Sequence, residues 1–328
     1  MNVMKVSILV PIYGVEKFIK KCAVSLLEQT YEDIEYVFVN DCTKDRSMDI
    51  LQEVVADYPE RRACVKIVEH EKNRGLSAAR NTALDYAEGD YLMHVDSDDF
   101  LERNAVELLV REAINSKADI VVCASNLVYE NKAIYTPCHV PDDKEKYLEG
   151  LLYKSIAPSM WGKLFRTRFY RDSGIRSIEG LNHGEDYATI PRLIYHADKI
   201  VTMGSALYNY VQYNQEAYTK NITRKSIDDM VRADAVLSDF FTSLPQADKY
   251  VELLNIAKLR TKLALLKMSR MAVYRDIISL YPEISPQYSA SLSFPDRMLF
   301  YLVHHGLYRI AYCYAKFGLW VKRKMVNR

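Results

Sequence analysis

Five short apolar segments alternate with amphipathic segments over the first 126 residues, and this alternation constrains the fold more than any other feature. The apolar segments lie at 6–13, 36–40, 65–70, 91–95 and 119–126. The segments between them place apolar residues at helical spacing. Continuous apolar strands that alternate with helices are typical of a parallel sheet covered on both faces. The sequence therefore predicts an α/β fold, with a Rossmann-like, mostly parallel sheet and helices on both faces.

A cluster of acids, Asp96, Asp98 and Asp99, directly follows the fourth apolar segment. Burying several carboxylates without partners is costly, and a hard divalent cation held by oxygen ligands removes their repulsion. The carboxyl ends of the strands form the edge at which α/β sheets bind ligands. One interpretation is therefore a Mg²⁺ or Mn²⁺ site that handles phosphates. The other is a solvated turn in which Asp99 caps the helix that begins near Arg103.

Polar residues also follow the other predicted strands, at Pro11/Tyr13, Asn40-Asp41 and Asn73-Arg74, and they are expected at the same sheet edge. Tyr13-Gly14-Val15-Glu16 follows the first strand where a dinucleotide-binding protein has G-x-G-x-x-G. The sequence contains neither a G-x-x-x-x-G-K-[ST] loop nor a G-x-S-x-G elbow. These absences argue against nicotinamide-dependent enzymes, P-loop NTPases and α/β hydrolases.

After residue 126 the pattern changes. Residues 161–170 and 182–195 are predicted as short helical or turn segments, the second around the acidic pair Glu185-Asp186, and two strands are expected at 200–203 and 206–213. From residue 226 the apolar residues recur at helical spacing. We expect a boundary near residue 220, between a domain at 1–220 and a helical region at 221–328.

The overall composition limits the partners and the compartment. The formal net charge is +1, which argues against a nucleic-acid-binding protein. Six cysteines are scattered without metal-ligand spacing, as in the reduced thiols of a cytoplasmic protein. The sequence opens on a strand without a signal-peptide pattern, and no run of 18 apolar residues suggests a membrane span.

Four motifs in order resemble family 2 glycosyltransferases with the GT-A fold, of the bacterial polysaccharide-biosynthesis type. The opening VSILVPIYGVEKF…YVFVNDCTKDRS, the segment NRGLSAARNTAL, the acids DSDD and the segment HGEDY each match a family motif. The resemblance covers roughly residues 3–215. It implies an inverting, metal-dependent transfer from a nucleotide sugar, expected to be a UDP-sugar, to a hydroxyl of a glycan or lipid-linked acceptor. Residues 1–126 would bind the donor, and residues 127–220 would supply the acceptor and base side.

The resemblance also assigns roles to single residues. Asp186 would be the general base, with Glu185 beside it. Asp98, with Asp96, would hold Mn²⁺ or Mg²⁺. Residues on the nucleotide-sugar side would be Pro11, Tyr13, Glu16, Asp41, Arg74, Arg80, Asp96 and Lys163. Trp161 is expected on the acceptor side. The family commonly has Asp-Asp-Gly-Ser where this chain has Asn40-Asp41-Cys42-Thr43.

Two alternative functions stay open at this stage. A sugar-nucleotide nucleotidyltransferase would need a Gly-rich, basic loop after the first strand, and YGVEKF does not supply one. A catalytically inactive GT-A scaffold would be expected to lose an acid at Asp98 or Asp186, and the sequence retains both.

Residues 296–328 combine seven Lys/Arg and one acid with many aromatic and aliphatic residues. Interspersed His, Arg and Lys residues disfavour a membrane-spanning helix. A basic helix rich in aromatic residues suits the surface of an anionic bilayer, which predicts a peripheral location at the inner face of the plasma membrane. The alternative is that these aromatic residues only pack on the preceding helices.

Overall fold

The computed structural model of the chain describes residues 4–141, 143–214, 223–282, 284, 288 and 292–326. The chain divides into two compact units. The first comprises Met1–Leu151 and Ile156–Ala217, and the second comprises Leu152–Ser155 and Tyr218–Arg328.

One mixed sheet forms the centre of the first unit. Its nine strands among the described residues are β1 (Val6–Ile12), β2 (Ile34–Asn40), β3 (Val65–Glu69), β4 (Tyr91–His94), β5 (Phe100–Leu101), β6 (Ile120–Val128), β7 (Ala133–Thr136), β8 (Lys163–Arg166) and β9 (Ile200–Val211). Their order across the sheet is β3-β2-β1-β4-β8-β6-β9-β5, and β7 pairs with β6.

Most strands of this sheet run in one direction. β1 pairs in parallel with β2 and β4, and β2 pairs in parallel with β3. β8 is antiparallel to both β4 and β6, so β6 points the same way as β4, and β9 runs parallel to β6. The short strands β5 and β7 are antiparallel to their neighbours. The predicted α/β class is confirmed, but residues 163–166, predicted as helix or turn, form a strand inside the sheet.

Eight helices connect these strands in the described part of the first unit. They are α1 (Ile19–Leu27), α2 (Ser47–Ala56), α3 (Pro59–Arg62), α4 (Leu76–Tyr86), α5 (Ala105–Ser116), α6 (Lys144–Leu152), α7 (Thr167–Asp172) and α8 (Glu185–His196). The buried residues of α1, α2 and α5 pack in one core cluster with alternate residues of β1. The buried side of α4 lies against β1 and β2 outside that cluster. All seven residues of β1 are buried, as its continuous apolar sequence predicts for a central strand.

The second unit is helical. Its helices are α9 (Arg224–Thr242), α10 (Asp248–Met268), a 3₁₀ turn (Met271–Val273), α11 (Tyr274–Ile278), α12 (Phe294–His304) and α13 (Tyr308–Val326). Leu266, Tyr274, Leu299 and Val303 are among the residues of its core. Within the described ranges, no helix has both the length and the apolar character to cross a membrane.

Candidate active site

The carboxyl ends of β1, β2 and β4 bring the sequence-predicted acids to one edge of the sheet. These strands are parallel neighbours, so the residues that follow each of them leave the sheet on the same side. The ladder continues one residue past β4, because Val95 N donates to Leu9 O at 3.0 Å. Asp96 is the next residue. The carboxylate cluster therefore begins where the hydrogen-bonded strand ends.

Arg80 of α4 joins three of the predicted site carboxylates. Its Nη1 lies 2.6 Å from Asp186 Oδ1 and 3.4 Å from Glu185 Oε1, and its Nη2 lies 3.0 Å from Asp96 Oδ1. The Arg80 side chain is only 2% exposed. Burial acts to lower the pKa of Arg80, but Asp186, Asp96 and Glu185 outweigh that effect and raise it. One buried guanidinium thus holds the acids of two motifs that are separated by about 90 residues in sequence.

The protonation of Glu185 and Asp96 is shifted by the same surroundings. Burial, followed by the charge of Asp186, raises the pKa of Glu185 to about 8 although Arg80 opposes the change. Burial also raises the pKa of Asp96, against the attraction of Arg80. Burial and the charge of Asp186 thus favour the protonated form of Glu185.

Asp186 is held from two sides. Its Oδ1 accepts from Arg80, and its Oδ2 accepts from the backbone N–H of Met160 at 2.9 Å. Glu185 and Asp186 open α8 directly after Gly184, whose φ of 85° lets the chain turn into the helix. The Asp186 side chain is 21% exposed, so its position is fixed while it remains accessible.

The remaining acids of the cluster differ in exposure and partners. Asp99 is buried, where it accepts from the Tyr208 hydroxyl at 2.7 Å and from Val211 N at 2.8 Å. Burial and the neighbouring acids raise the pKa of Asp99 well above its ordinary value. The expectation that Asp99 caps the following helix is wrong, because both its oxygens accept from β9. Asp98 is more exposed, and its Oδ2 accepts from Asn214 Nδ2 at 2.8 Å.

Asp41 is buried, and its oxygens are engaged within the protein. Oδ1 accepts from Arg74 N at 2.8 Å and lies 2.7 Å from His70 Nδ1, while Oδ2 accepts from Gly75 N at 2.7 Å. Gly75 has a φ of 88°, and a Cβ there would collide with Asn182. The predicted contact between Asp41 and a nucleotide base stays a prediction, and any such contact would have to share an oxygen with these donors.

Pro11, Tyr13, Glu16 and Arg74 border the same edge. Pro11 is buried within β1, whereas Tyr13, just after that strand, is 53% exposed. The carboxylate of Glu16 accepts from Arg46 N at 3.1 Å, next to the start of α2. The Arg74 guanidinium contacts both oxygens of the Glu179 carboxylate at 3.1 Å. Tyr13, Glu16 and Arg74 are thus exposed at this edge, whereas Pro11 is buried.

Lys163 and Trp161 lie on the side of the site that β8 and β9 build. Lys163 is buried, and its Nζ donates to Ser159 O at 2.6 Å. Burial lowers the pKa of Lys163 to about 8, although the charge of Asp186 opposes the change. The Trp161 ring stacks on Tyr208 with centroids 4.8 Å apart, and it lies 5.0 Å from the ring of Tyr210. The Trp161 side chain is therefore packed on two tyrosine rings of β9 rather than projecting freely.

Sequence reasoning did not identify two groups that shape the site, Tyr208 and the backbone amide of Met160. The Tyr208 hydroxyl bridges Asp99 and the backbone N–H of Asp96, which donates to it at 3.1 Å. Alternation along β9 could have marked Tyr208 as inward-facing. No sequence signal marks a backbone N–H.

The carboxylates of the site can supply only some of the ligands that a hard cation needs. Asp96 and Asp98 offer carboxylate oxygens two residues apart, which is the ligand chemistry that Mg²⁺ and Mn²⁺ prefer. No group of three or more His, Cys, Asp or Glu side chains in the described ranges could hold a metal ion. These residues therefore fit a cation that takes its remaining ligands from substrate phosphates and water, as Mg²⁺ commonly does.

Comparisons with known proteins agree with this architecture. The profile described as "Glycosyl transferase family 2" matches residues 7–178, more than half of the chain. The chain is 32% identical over 212 residues to the uncharacterized glycosyltransferase EpsJ of Bacillus subtilis, a match that covers 62% of this chain and 60% of EpsJ. The chain thus spans about three fifths of that relative.

Two solved structures share the fold at low sequence identity. S. aureus TarS 1-349, in complex with UDP-GlcNAc, superposes with a TM-score of 0.68 at 19% identity, over 95% of this chain and 91% of that one. The mannosyltransferase PcManGT from Pyrobaculum calidifontis, in complex with GDP-Man and Mn²⁺, gives 0.51 at 17% identity, over 98% and 89%. Together with the mixed sheet and the C-terminal helices, these similarities confirm the predicted GT-A fold.

Proposed function

The chain belongs to glycosyl transferase family 2, and we propose that it transfers a sugar from a UDP-sugar to a hydroxyl of a glycan or lipid-linked acceptor with inversion at the anomeric carbon. Residues 1–126 would bind the donor, and residues 127–220 would supply the base and the acceptor side. The UDP assignment draws support from the TarS structure, which contains UDP-GlcNAc.

One observation carries the proposal: a single buried guanidinium contacts both Asp96 and Asp186. Arg80 Nη2 is 3.0 Å from Asp96, and Arg80 Nη1 is 2.6 Å from Asp186. A general base must lie within hydrogen-bond reach of the hydroxyl it activates, while that hydroxyl lies against the donor sugar. Two carboxylates that contact one guanidinium lie close enough for Asp96 to act on the donor side and Asp186 on the acceptor hydroxyl of the same transfer.

Asp186 is the residue we assign as general base. The acceptor oxygen would attack the anomeric carbon while its proton passes to the Asp186 carboxylate, and the bond from that carbon to the diphosphate would break. A single displacement of this kind inverts the configuration. General-base catalysis typically contributes ~10²–10⁴-fold to the rate. The amide of Met160 and the guanidinium of Arg80 would fix the direction of the carboxylate.

Asp98 and Asp96 are the residues that would hold Mn²⁺ or Mg²⁺ together with the donor diphosphate. A cation there would neutralise charge on the leaving diphosphate. Asp96 already contacts a cation, the Arg80 guanidinium, whereas Asp98 accepts from the uncharged amide of Asn214. We therefore assign Asp98 as the direct ligand. Tyr13, exposed beyond β1, would lie along the nucleotide base.

We also propose a cytoplasmic enzyme that acts at the inner face of the plasma membrane. All six cysteines are free thiols, which fits a reducing compartment. The basic and aromatic C-terminal helices support a peripheral location.

Two variants test the base and the metal separately. Asp186→Asn should lower kcat for transfer from a UDP-sugar by at least ~10²-fold while UDP binding in Mn²⁺ is retained. Asp98→Asn should abolish transfer and weaken UDP binding in Mn²⁺, with little change in UDP binding when the metal is chelated. Asp172→Asn, at an exposed residue of α7, is the matched control and should match wild type.

The outcomes separate the two assignments. A folded Asp186→Asn protein that turns over at the wild-type rate removes Asp186 from the mechanism, and one that no longer binds UDP moves Asp186 to the donor site. An Asp98→Asn protein with wild-type turnover contradicts the metal assignment. If wild-type protein binds no UDP-sugar from a broad panel but binds another nucleotide sugar, the donor base is assigned wrongly.

A further inference from the structure

Helix α13 has apolar side chains on two opposite sides, and only one of them faces the core of its own unit. On the inner side, Ala311 and Ala315 are buried in the helical core. On the outer side, Ile310 is 56% exposed, Phe317 is 63% exposed and Trp320 is 52% exposed. A surface helix normally turns its polar side to water. The outer side of α13 instead exposes apolar side chains to water.

The exposed apolar residues form one continuous strip. Residues three and four positions apart lie on the same face of a helix, and 310, 317 and 320 follow that spacing, with the exposed Cys313 between them. The Phe317 and Trp320 rings stack with centroids 5.8 Å apart. We call Ile310, Phe317 and Trp320 the outer strip, which runs for roughly 15 Å along the helix axis at 1.5 Å per residue.

The charged residues of α13 itself are of one sign. Residues 297–328 contain seven Lys/Arg and no Asp or Glu. Arg309 is exposed beside the strip, and Lys316 crosses over the Tyr312 ring and donates to Lys267 O. An apolar strip with a basic border complements a surface that combines an apolar interior with negative charge.

We infer that the outer strip of α13 docks on the surface of an anionic lipid bilayer. The helix lies in the plane of the interface, with Phe317 and Trp320 at the depth of the headgroups and the basic side chains on the lipid phosphates. A second copy of the chain fits less well, because a symmetric contact through this strip would bring two basic borders together. The inference does not depend on the reaction that the GT-A unit catalyses.

Vesicle co-sedimentation of the full chain tests this inference. The probes are vesicles of equal parts phosphatidylglycerol and phosphatidylcholine, and vesicles of phosphatidylcholine alone. The wild-type chain should pellet with the anionic vesicles and at least tenfold less with the neutral ones. Raising salt from ~0.1 M to ~1 M shortens the Debye length from about 10 Å to about 3 Å, and binding should fall with it.

Two variants assign the binding to this strip. Phe317→Ser/Trp320→Ser should reduce the bound fraction at least tenfold, and both side chains are exposed enough for the fold to persist, which thermal unfolding checks. Tyr86→Ser replaces an equally exposed aromatic residue of α4 and should bind like wild type. Arg309→Glu should weaken binding to anionic vesicles while leaving the weak binding to neutral vesicles unchanged.

Three results would overturn the inference. The wild-type chain could remain in the supernatant with both kinds of vesicle at low salt. The folded double variant could bind as well as wild type. Light scattering could show a wild-type dimer that the double variant converts to a monomer, which would make the outer strip a contact between copies.

Discussion

Removing the Arg80 side chain should unbalance the charge at the centre of the site. Arg80→Met retains most of the apolar stem and deletes the guanidinium that contacts Asp96, Glu185 and Asp186. Deleting one partner of a buried ion pair costs ~3–5 kcal/mol, because the other charge stays buried without compensation. The substitution also removes Arg80 Nε, a buried donor without a hydrogen-bond partner among the described residues. We therefore expect the lower end, ~3 kcal/mol of unfolding free energy.

That loss translates into a measurable change in Tm. For a domain of this size, 1 kcal/mol shifts Tm by about 2–4 °C, so Arg80→Met should melt ~6–12 °C below wild type at neutral pH. Arg176→Met is the matched control. Arg176 pairs with Asp85 at a similar distance, 2.7 Å, but both side chains are about half exposed. An exposed pair contributes at most ~1 kcal/mol, so this control should lose no more than about 4 °C.

The pH dependence of the decrease in Tm of Arg80→Met gives a second measurement. Without Arg80, the pKa values of Asp96 and Glu185 rise further, because an attractive charge is lost. The folded variant then binds more protons than the unfolded chain, so its stability falls as pH rises. The difference in Tm between the variant and wild type should therefore shrink as pH is lowered through about 8, the pKa of Glu185 in the wild-type protein.

Kinetics separate a positioning role from a donor-binding role for Arg80. If Arg80 orients Asp186, kcat should fall at least tenfold while the affinity for UDP changes little. If Arg80 contacts the donor diphosphate, as the sequence resemblance suggested, the affinity for UDP should fall instead. A folded Arg80→Met protein with wild-type Tm and wild-type kcat would refute the role of this cluster altogether.

Two further substitutions test how buried polar groups contribute to stability. Burial acts to raise the pKa of Glu35, but hydrogen bonds from Ser7 and the Glu88 backbone N–H, with the ammonium of Lys5, lower it to about 2. Above about pH 4.5 this depressed pKa contributes ~3 kcal/mol to the free energy of unfolding, and that contribution is lost as the pH falls through 2. Acid unfolding of Glu35→Gln should therefore lack this loss of stability. An unchanged acid profile would contradict this. His94 is buried with both ring nitrogens unpaired among the described residues, and burial lowers its pKa to about 3. Because buried polar atoms without hydrogen bonds are destabilising, His94→Met should raise the free energy of unfolding by ~1 kcal/mol, measured by denaturant titration. Lower stability in that variant would show that the ring packing outweighs the unpaired nitrogens.

The sequence predicts the first four strands and their helices well, because each has a strong local signal. β1 is a seven-residue apolar run that is buried throughout, and α5 carries its buried residues at helical spacing. β8 was missed because four residues are too short to show a period. Its place between β4 and β6 depends on strand pairing with residues far away in the chain. The two strands predicted at 200–203 and 206–213 form the single strand β9, which ends at Val211 and whose pairing with β6 changes register near Ala124.

For the site, the sequence identified the acids but not their partners. Asp99 is adjacent to Asp98 in the chain, yet it is buried on Tyr208 and Val211, more than 100 residues later. A local pattern cannot distinguish the two. Arg80 was identified through its motif, but its contacts with Glu185 and Asp186 arise only when α4 and the start of α8 meet in the fold.

The contacts of Asp41 show how the end of β2 is connected to the proposed base. Asp41 accepts from the backbone N–H groups of Arg74 and Gly75, the two residues that precede α4, and so fixes where this helix begins. Arg80 lies little more than one turn into α4 and contacts Asp186. A shift of the loop before α4 would therefore move the guanidinium, and with it the carboxylate that must meet the acceptor hydroxyl. A misplacement of about 1 Å can cost a catalyst on the order of 10²-fold in rate. The geometry of the proposed base thus depends on an acid more than 140 residues earlier, through one short helix.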